Sequence, residues 1–70
     1  MMPLSMSKQG TSSAIMRVTG KSETKNFLGN LGFTPGEKVT VICEVGGNLI
    51  VEIKNCRVAL SKELARNIMI

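Results

Sequence analysis

The chain has 70 residues and a net charge of +4, and 43% of its residues are hydrophobic. It contains no His, Asp, Tyr or Trp, so all five of its acidic residues are Glu. Catalytic triads built on His and calcium loops built on Asp are therefore excluded. This composition favours a protein that has no enzymatic activity, no cofactor and no dedicated metal site, and that presents a surface to a partner.

The length and hydropathy of the chain predict one small domain over residues 1–70. A chain of about 70 residues builds a core that contributes only a few kcal/mol of net stability. No apolar run approaches the ~20 residues that cross a bilayer, and the opening MMPLSMSKQG lacks the basic and apolar regions of a signal peptide. We therefore expect a cytoplasmic protein that does not insert into a membrane.

The first predicted elements are a short apolar lead-in, PLSM, and a strand that begins at Ser12, with Gly10 between them. The apolar residues of the strand alternate imperfectly, and this irregularity predicts a β-bulge. These residues are Ala14, Ile15, Met16 and Val18.

A helix of about two turns is predicted in KSETKNFLGNLG, where the apolar residues change from strand to helical spacing. Ser22 is the expected N-cap, with Glu23 in the first turn. Gly32 stands where a left-handed C-terminal cap is expected, and Gly29 predicts close packing of the helix against a strand. The residues expected to face the core are Phe27, Leu28 and Leu31.

The stretch NLGFTPGEKVTV predicts a hinge that ends the helix, turns sharply and enters a strand. Its TPGE segment has the composition of a type II turn, because Pro fixes the second position and Gly accepts a positive φ at the third. Phe33 follows the cap glycine and is expected to be buried against the helix. The hinge residues are Leu31, Gly32, Pro35 and Gly36.

Two consecutive β-hairpins are predicted over residues 39–60 by alternating apolar and polar residues. The first hairpin turns at its Gly-Gly pair, which would place Val45 opposite Asn48 and Thr40 opposite Ile53. The residues expected to face inward are Val39, Val41, Cys43, Val45, Leu49, Val51, Ile53, Val58 and Leu60.

The end of the chain predicts a helical turn followed by a last strand. SKELAR is a helical turn capped by Ser61, and Ile68 and Ile70 are expected to face inward. The whole pattern predicts an all-β fold of about five strands with one short helix and a C-terminal helical turn. The strands are expected to form a small closed barrel, because so few residues cannot cover both faces of an open sheet.

The two cysteines, Cys43 and Cys56, are predicted to remain unpaired. A turn at Lys54-Asn55 would set Cys56 beside Ile53, so the thiols would lie two strands apart and in different rows. A disulfide needs Cα atoms within ~7 Å, and two thiols are too few ligands for a metal site. We expect unreactive thiols that are buried or half-buried, as suits a reducing compartment.

Three segments resemble the FeoA family, the small cytoplasmic component of bacterial ferrous iron uptake. They are PLSMSKQG, FLGNLGFTPGEKVTV and VALSKELARNIMI, and the resemblance covers nearly the whole chain. Its most specific parts are the Leu-Gly-x-x-Pro-Gly hinge and the ending Ile68-Met69-Ile70.

The resemblance implies an SH3-like barrel, in agreement with the strand count, and a function in iron uptake. The implied partner is the membrane transporter FeoB, which has a cytoplasmic GTP-binding domain. Similar SH3-like domains also occur at the end of iron-dependent repressors, so a transition-metal-responsive regulatory domain is an alternative. Even in an iron context, the absence of His and Asp leads us to expect no tight preformed Fe²⁺ site in the monomer.

The positive charge raises a second alternative, a small basic barrel that binds nucleic acid. Barrels that bind single strands stack bases on aromatic side chains. Here the only aromatic residues are Phe27 and Phe33, and neither lies in a predicted strand. The cations also form no block along the sequence. We therefore expect a protein partner rather than nucleic acid.

The predicted partner surface combines two apolar residues with two cations. Ile50 and Met69 alternate outward from their apolar neighbours and are the expected anchors. Lys54 and Arg57 are expected to form a polar rim that mainly affects the association rate. The sequence leaves open whether the chain forms a weak homo-oligomer.

Overall fold

Six short strands and two helices make up the fold, which we describe from a computed structural model of residues 1–70. A 3₁₀ turn at Leu4–Met6 precedes them. In chain order the elements are β1 (Ser12–Ala14), β2 (Arg17–Val18), α1 (Ser22–Asn30), β3 (Lys38–Val45), β4 (Asn48–Ile53), β5 (Cys56–Ser61), α2 (Lys62–Ala65) and β6 (Ile68–Met69).

The strands form two antiparallel sheets that enclose one core. The larger sheet has the order β1-β3-β4-β5, and the smaller one pairs β2 with β6. The N-terminal segment joins the smaller sheet through reciprocal backbone hydrogen bonds of 2.8 Å between Met2 and Ile70. The predicted all-β class is confirmed as a mostly-β fold, with six strands instead of about five.

The predicted first strand is divided between the two sheets. β1 pairs with β3, whereas β2 pairs with β6 by placing Arg17 opposite Met69. Between them, the Ile15 side chain is buried in the core and the Met16 N–H donates to the Met69 carbonyl oxygen at 2.7 Å. The imperfect alternation therefore marks a point where the chain passes from one sheet to the other, which closes the barrel.

The core consists of twelve buried apolar side chains contributed by nearly every element. Phe33 is the largest of them and is only 1% exposed, so its predicted burial is confirmed. Ile68 is also buried, as predicted, while Ile70 is half-buried at the edge of the core. The full set is Leu4, Ile15, Leu28, Phe33, Val39, Val41, Leu49, Val51, Ile53, Leu60, Ala65 and Ile68.

Helix α1 buries less of its surface than its sequence predicts. Leu28 is fully buried, but Phe27 is 50% exposed and Leu31 is 37% exposed, so their predicted core positions are wrong. A helix of nine residues on a small barrel contacts the core along a narrow stripe, which Leu28 occupies alone. The prediction of close packing at Gly29 is also wrong, because no atom lies within 4 Å of a Cβ built there.

The ends of α1 follow the predicted backbone geometry only at the C-terminus. Ser22 is the first helical residue, Lys21 occupies the N-cap position, and no side chain caps the helix start. At the other end Gly32 has a φ of +104°, as a left-handed cap requires. The Phe33 N–H then donates to the Leu28 carbonyl at 3.0 Å, which turns Phe33 back into the core.

The hinge contains the predicted type II turn. Gly36 has a φ of +91°, and the Glu37 N–H donates to the Thr34 carbonyl at 3.1 Å to close the turn. The Gly36 N–H donates to the Ile15 carbonyl at 2.8 Å, so the turn is also attached to the segment between β1 and β2. The hinge therefore joins the helix, the first strand and the start of β3.

A β-bulge in β3 changes the register of the first hairpin. Val45 lies opposite Asn48 as predicted, but Ile53 pairs with Val39 instead of Thr40. The register shifts between Val41 and Cys43, so the intervening residue has no partner on β4. Beyond the bulge the alternation is reversed, and the predicted inward positions of Cys43 and Val45 are wrong.

Helix α2 starts with the predicted cap, since the Ser61 hydroxyl accepts a hydrogen bond of 3.2 Å from the Leu64 N–H. We expect Ser61→Ala to lower the unfolding free energy by about 1 kcal/mol, and so the melting midpoint by roughly 4–8 °C in a domain of this size. Ser22→Ala is the matched control, because Ser22 makes no cap bond. Thermal melts followed by circular dichroism compare them, and equal losses would contradict the assignment of the cap.

Candidate docking surface

The outward-facing residues of β3, β4 and β5 form the surface that we call the outer sheet face. Cross-strand partners share a face of the sheet, so three rows can be read from the register. The first row contains Thr40, Glu52 and Arg57, the second contains Cys43, Ile50 and Ala59, and the third contains Val45, Asn48 and Ser61.

The middle of the outer sheet face is apolar. Ile50 is half-buried between Cys43 and Ala59, and Ala59 is exposed. Val45, beyond the bulge, is 61% exposed. Because Ala59 is small, the flank of Ile50 is open toward β5. The surface thus offers a short apolar row that a partner side chain can cover.

The first row of the outer sheet face is polar, and its cation Arg57 has no ion-pair partner. The Ser12 and Thr40 hydroxyls share a hydrogen bond of 2.7 Å. Arg57 lies directly opposite Glu52, yet it makes no ion pair, since the two salt bridges of the protein are Lys54–Glu37 and Lys62–Glu44. Arg57 is therefore an exposed cation that remains available to a partner.

Lys54 connects the outer sheet face with the hinge. It lies in the turn between β4 and β5, and its Nζ is 3.7 Å from Glu37 Oε1. Its Cδ lies 3.5 Å from the position of a Cβ on Gly32, so the lysine stem covers the cap glycine. Both ion-pair partners are well exposed to solvent, so the pair contributes little stability. A polar groove of about 300 Å³ opens here, lined by Glu37, Lys38, Thr40, Glu52, Lys54 and Asn55.

Met69 lies away from the other three predicted partner residues. It is half-buried in β6, opposite Arg17, and it forms an isolated bridge with Pro3. The structure therefore brings Ile50, Lys54 and Arg57 together on the larger sheet and places Met69 on the smaller one.

Two further apolar surfaces are present. Phe27 on α1 and Leu31, the C-cap residue of this helix, lie four positions apart and are both exposed. The N-terminal residues form a depression of about 450 Å³, together with the chain end and several polar residues. Its lining is Met1, Met2, Met6, Ser7, Lys8, Thr11, Ser13 and Ile70.

The cysteines are both free thiols in the structure. Cys43 is half-buried, in agreement with the prediction. Cys56 is exposed although its partner Ile53 is buried, because Cys56 is the first residue of β5, the strand at the edge of the sheet. Its predicted burial is therefore wrong, although its predicted partner in the hairpin is confirmed.

The basic groups of the protein lie at its surface and are mostly unpaired. No three His, Cys, Asp or Glu side chains gather where they could hold a metal ion. All nine cations are exposed, and seven of them make no ion pair. Neither α1 nor α2 has the length and hydropathy that a membrane crossing requires.

Sequence reasoning missed Val45 and Ala59 as members of the outer sheet face. The signal for Val45 was present, because Val41 and Ile42 are adjacent apolar residues that interrupt the alternation of β3. Ala59 was also indicated, because it lies between Val58 and Leu60, which were predicted to face inward.

A small barrel of short antiparallel strands, in which the first segment crosses from one sheet to the other, places the protein in the SH3-like class. Comparison with known families makes this specific. The model of the FeoA domain matches residues 2–70, and the chain belongs to the FeoA family. The family resemblance seen in the sequence is thereby confirmed.

Solved structures support this assignment. An iron uptake regulatory protein (FeoA) matches with a TM-score of 0.87 and 28% identity, over 96% of this chain and 89% of that one. FeoA from Stenotrophomonas maltophilia in complex with zinc matches with a TM-score of 0.85 and 28% identity, over 99% and 88%. The latter is described as a procaryotic SH3 domain protein and a possible bacterial ferrous iron transport activating factor.

More distant matches share the fold alone. A manganese-dependent transcriptional repressor has a TM-score of 0.85 at 19% identity, and the match covers 94% of this chain but 38% of the repressor. None of the curated proteins matched the chain in the sequence comparison.

Proposed function

We propose that this protein is a non-enzymatic accessory of ferrous iron uptake that docks on the cytoplasmic part of a FeoB-type transporter. The observation that carries the proposal is the match of the FeoA domain over residues 2–70. It is supported by the likeness to the Stenotrophomonas maltophilia protein, which is described as a possible transport activating factor. The scattered acidic groups and free thiols offer surface contacts instead of a reaction centre.

The outer sheet face is the proposed docking surface. It combines a partly exposed apolar row around Ile50 with the cations Lys54 and Arg57 at one end, which is the pattern of an apolar anchor with a polar rim. Val45, two residues after Cys43 on β3, extends this apolar surface into the third row. Met69 enters the proposal as a separate contact on the smaller sheet.

Binding to the cytoplasmic domain of the transporter tests this surface. We expect Val45→Glu to weaken binding about tenfold or more, because it places an unpaired charge at an exposed apolar position next to the apolar row. Lys54→Ala combined with Arg57→Ala should weaken binding less at physiological salt, since rim charges act mainly on the association rate. Affinities are measured with immobilised transporter domain and the purified variants. Thermal melts verify that each variant is folded.

Phe27→Glu is the matched control, because Phe27 is an exposed apolar residue on α1. Loss of binding in Phe27→Glu with full binding in Val45→Glu would assign docking to the helix and contradict the proposed surface. If Met69→Glu also weakens binding to the transporter domain, the contact extends to the smaller sheet. Tight, salt-sensitive binding of random-sequence RNA by a protein that ignores the transporter would favour the nucleic-acid alternative.

A further inference from the structure

β5 lies at the edge of the larger sheet, and this edge is free along its whole length. β5 is the last strand in the order β1-β3-β4-β5, so it has a neighbour on one side only. Outside the regular ladders, no backbone hydrogen bond uses a group of residues 56–60. An uncovered edge strand is unusual for a soluble protein, because its unpaired backbone groups can accept another strand.

The register shows which groups are free. Lys54 and Asn55 both have positive φ, at 51° and 64°, as in the two-residue turn of a type I′ hairpin. The closing pair Ile53–Cys56 of such a hairpin exchanges both backbone hydrogen bonds, and bonding alternates along the ladder. The N–H and carbonyl groups of Arg57 and Ala59 therefore point away from β4.

This edge carries one charged residue, Arg57, but lacks the other usual features that protect an edge against pairing. β5 is six residues long and contains no proline, and its pairing with β4 continues without a bulge. β1, at the other edge of the same sheet, has only three residues before the chain leaves for the smaller sheet. β5 is thus the edge on which an added strand would find the longer template.

The side chains beside this edge define the chemistry of the partner. Arg57 and Ala59 both project onto the outer sheet face, where Arg57 is exposed without an ion pair and Ala59 opens onto Ile50. A strand laid against β5 in antiparallel direction would place one residue beside Ala59 and, two positions later, another beside Arg57. An apolar side chain fits the first position and a carboxylate fits the second.

We infer that β5 accepts an extended segment of a partner protein with the pattern apolar-x-acidic, which pairs antiparallel with Arg57 and Ala59 as an additional strand. Backbone hydrogen bonds to β5 provide affinity for any extended segment, and the two side-chain positions select its sequence. The inference refines the proposed docking function and rests on it for the identity of the partner. It can be tested on this chain alone.

The probe is a synthetic peptide, acetyl-STVTETS-amide, titrated into the ¹⁵N-labelled protein. We expect the backbone amide signals of Arg57 and Ala59 to shift in a saturable manner at up to millimolar peptide. The peptide acetyl-STVTKTS-amide, which places a lysine beside Arg57, should bind at least several-fold more weakly. An absence of shifts on β5, or equal binding of the two peptides, would overturn the inference.

Ala59→Pro tests the backbone contact directly. The Ala59 N–H lies outside the β4–β5 ladder, so the variant should remain folded while losing the donor that the added strand needs. Ala14→Pro is the matched control on the other edge, because Ala14 is an exposed alanine of β1. Peptide binding should disappear in Ala59→Pro and persist in Ala14→Pro.

Two outcomes count against the assigned partner. Peptide binding that survives in folded Ala59→Pro would show that the edge is not the site. Shifts of the Arg57 and Ala59 signals that grow with protein concentration in the absence of peptide would assign the edge to a second copy of this chain. Neither outcome would decide the proposed docking function. That function is tested separately with Val45→Glu, which does not alter the β5 edge.

Discussion

Replacing Phe33 with alanine is expected to unfold most of the protein at room temperature. The Phe33 side chain is the largest in the core and is 1% exposed. Truncating a buried phenylalanine costs about 3–5 kcal/mol, which is as large as the net stability available to a domain of this size. The variant should show a collapsed ¹H–¹⁵N spectrum and no cooperative thermal transition by circular dichroism.

Phe27→Ala is the control for this experiment, because Phe27 is the other aromatic residue and is 50% exposed. Phe27→Ala should keep a cooperative thermal transition and lose at most about 1 kcal/mol of unfolding free energy. A protein that survives Phe33→Ala with little change, or that loses as much stability in Phe27→Ala, would show that the core is not centred on Phe33.

These two residues also show what the sequence can and cannot predict about α1. Helical spacing correctly locates a helix at Phe27, Leu28 and Leu31, but it does not reveal how wide a stripe the barrel covers. That width depends on the distance and angle between the helix and the sheets, which are tertiary properties. Phe33 was predicted more reliably, because a cap glycine before an apolar residue is a local signal.

The strands show the same division between local and non-local information. The turns at both hairpins follow from their turn residues, and the pairs nearest to each turn, Val45 with Asn48 and Ile53 with Cys56, were predicted correctly. The error in the first hairpin begins at the bulge, because one extra residue moves every later side chain to the other face. Much of the candidate docking surface depends on that bulge.

The proposed site was only partly predictable for a related reason. Ile50, Lys54 and Arg57 are neighbours through the second hairpin, whose register can be read locally. Whether Met69 joins them depends on how the smaller sheet closes the barrel, and no local pattern specifies this. The free edge of β5 is likewise a property of the strand order, which the sequence of β5 alone does not contain.

Gly36→Val is expected to lower the unfolding free energy by about 1–2 kcal/mol or more. Gly36 has a φ of +91°, a conformation that β-branched residues strongly disfavour. A Cβ at this position would meet no atom within 4 Å, so a steric clash with the surroundings does not contribute. The loss should appear as a decrease of roughly 4–8 °C or more in the melting midpoint.

Three variants together show whether the positive φ of Gly36 causes the loss of stability in Gly36→Val. Gly36→Asn should lose less stability than Gly36→Val, because asparagine tolerates the left-handed region. Gly29→Ala provides the opposite control: Gly29 lies inside α1 with open space around it, so alanine should leave the midpoint unchanged or raise it. If all three variants melt at the wild-type temperature, the positive φ of Gly36 does not constrain the fold and the type II turn is wrongly assigned. We expect the melting midpoint to be highest for Gly29→Ala, lower for Gly36→Asn and lowest for Gly36→Val. The hinge attaches α1, β1 and β3 to one another, and its turn has a positive φ that glycine adopts most easily.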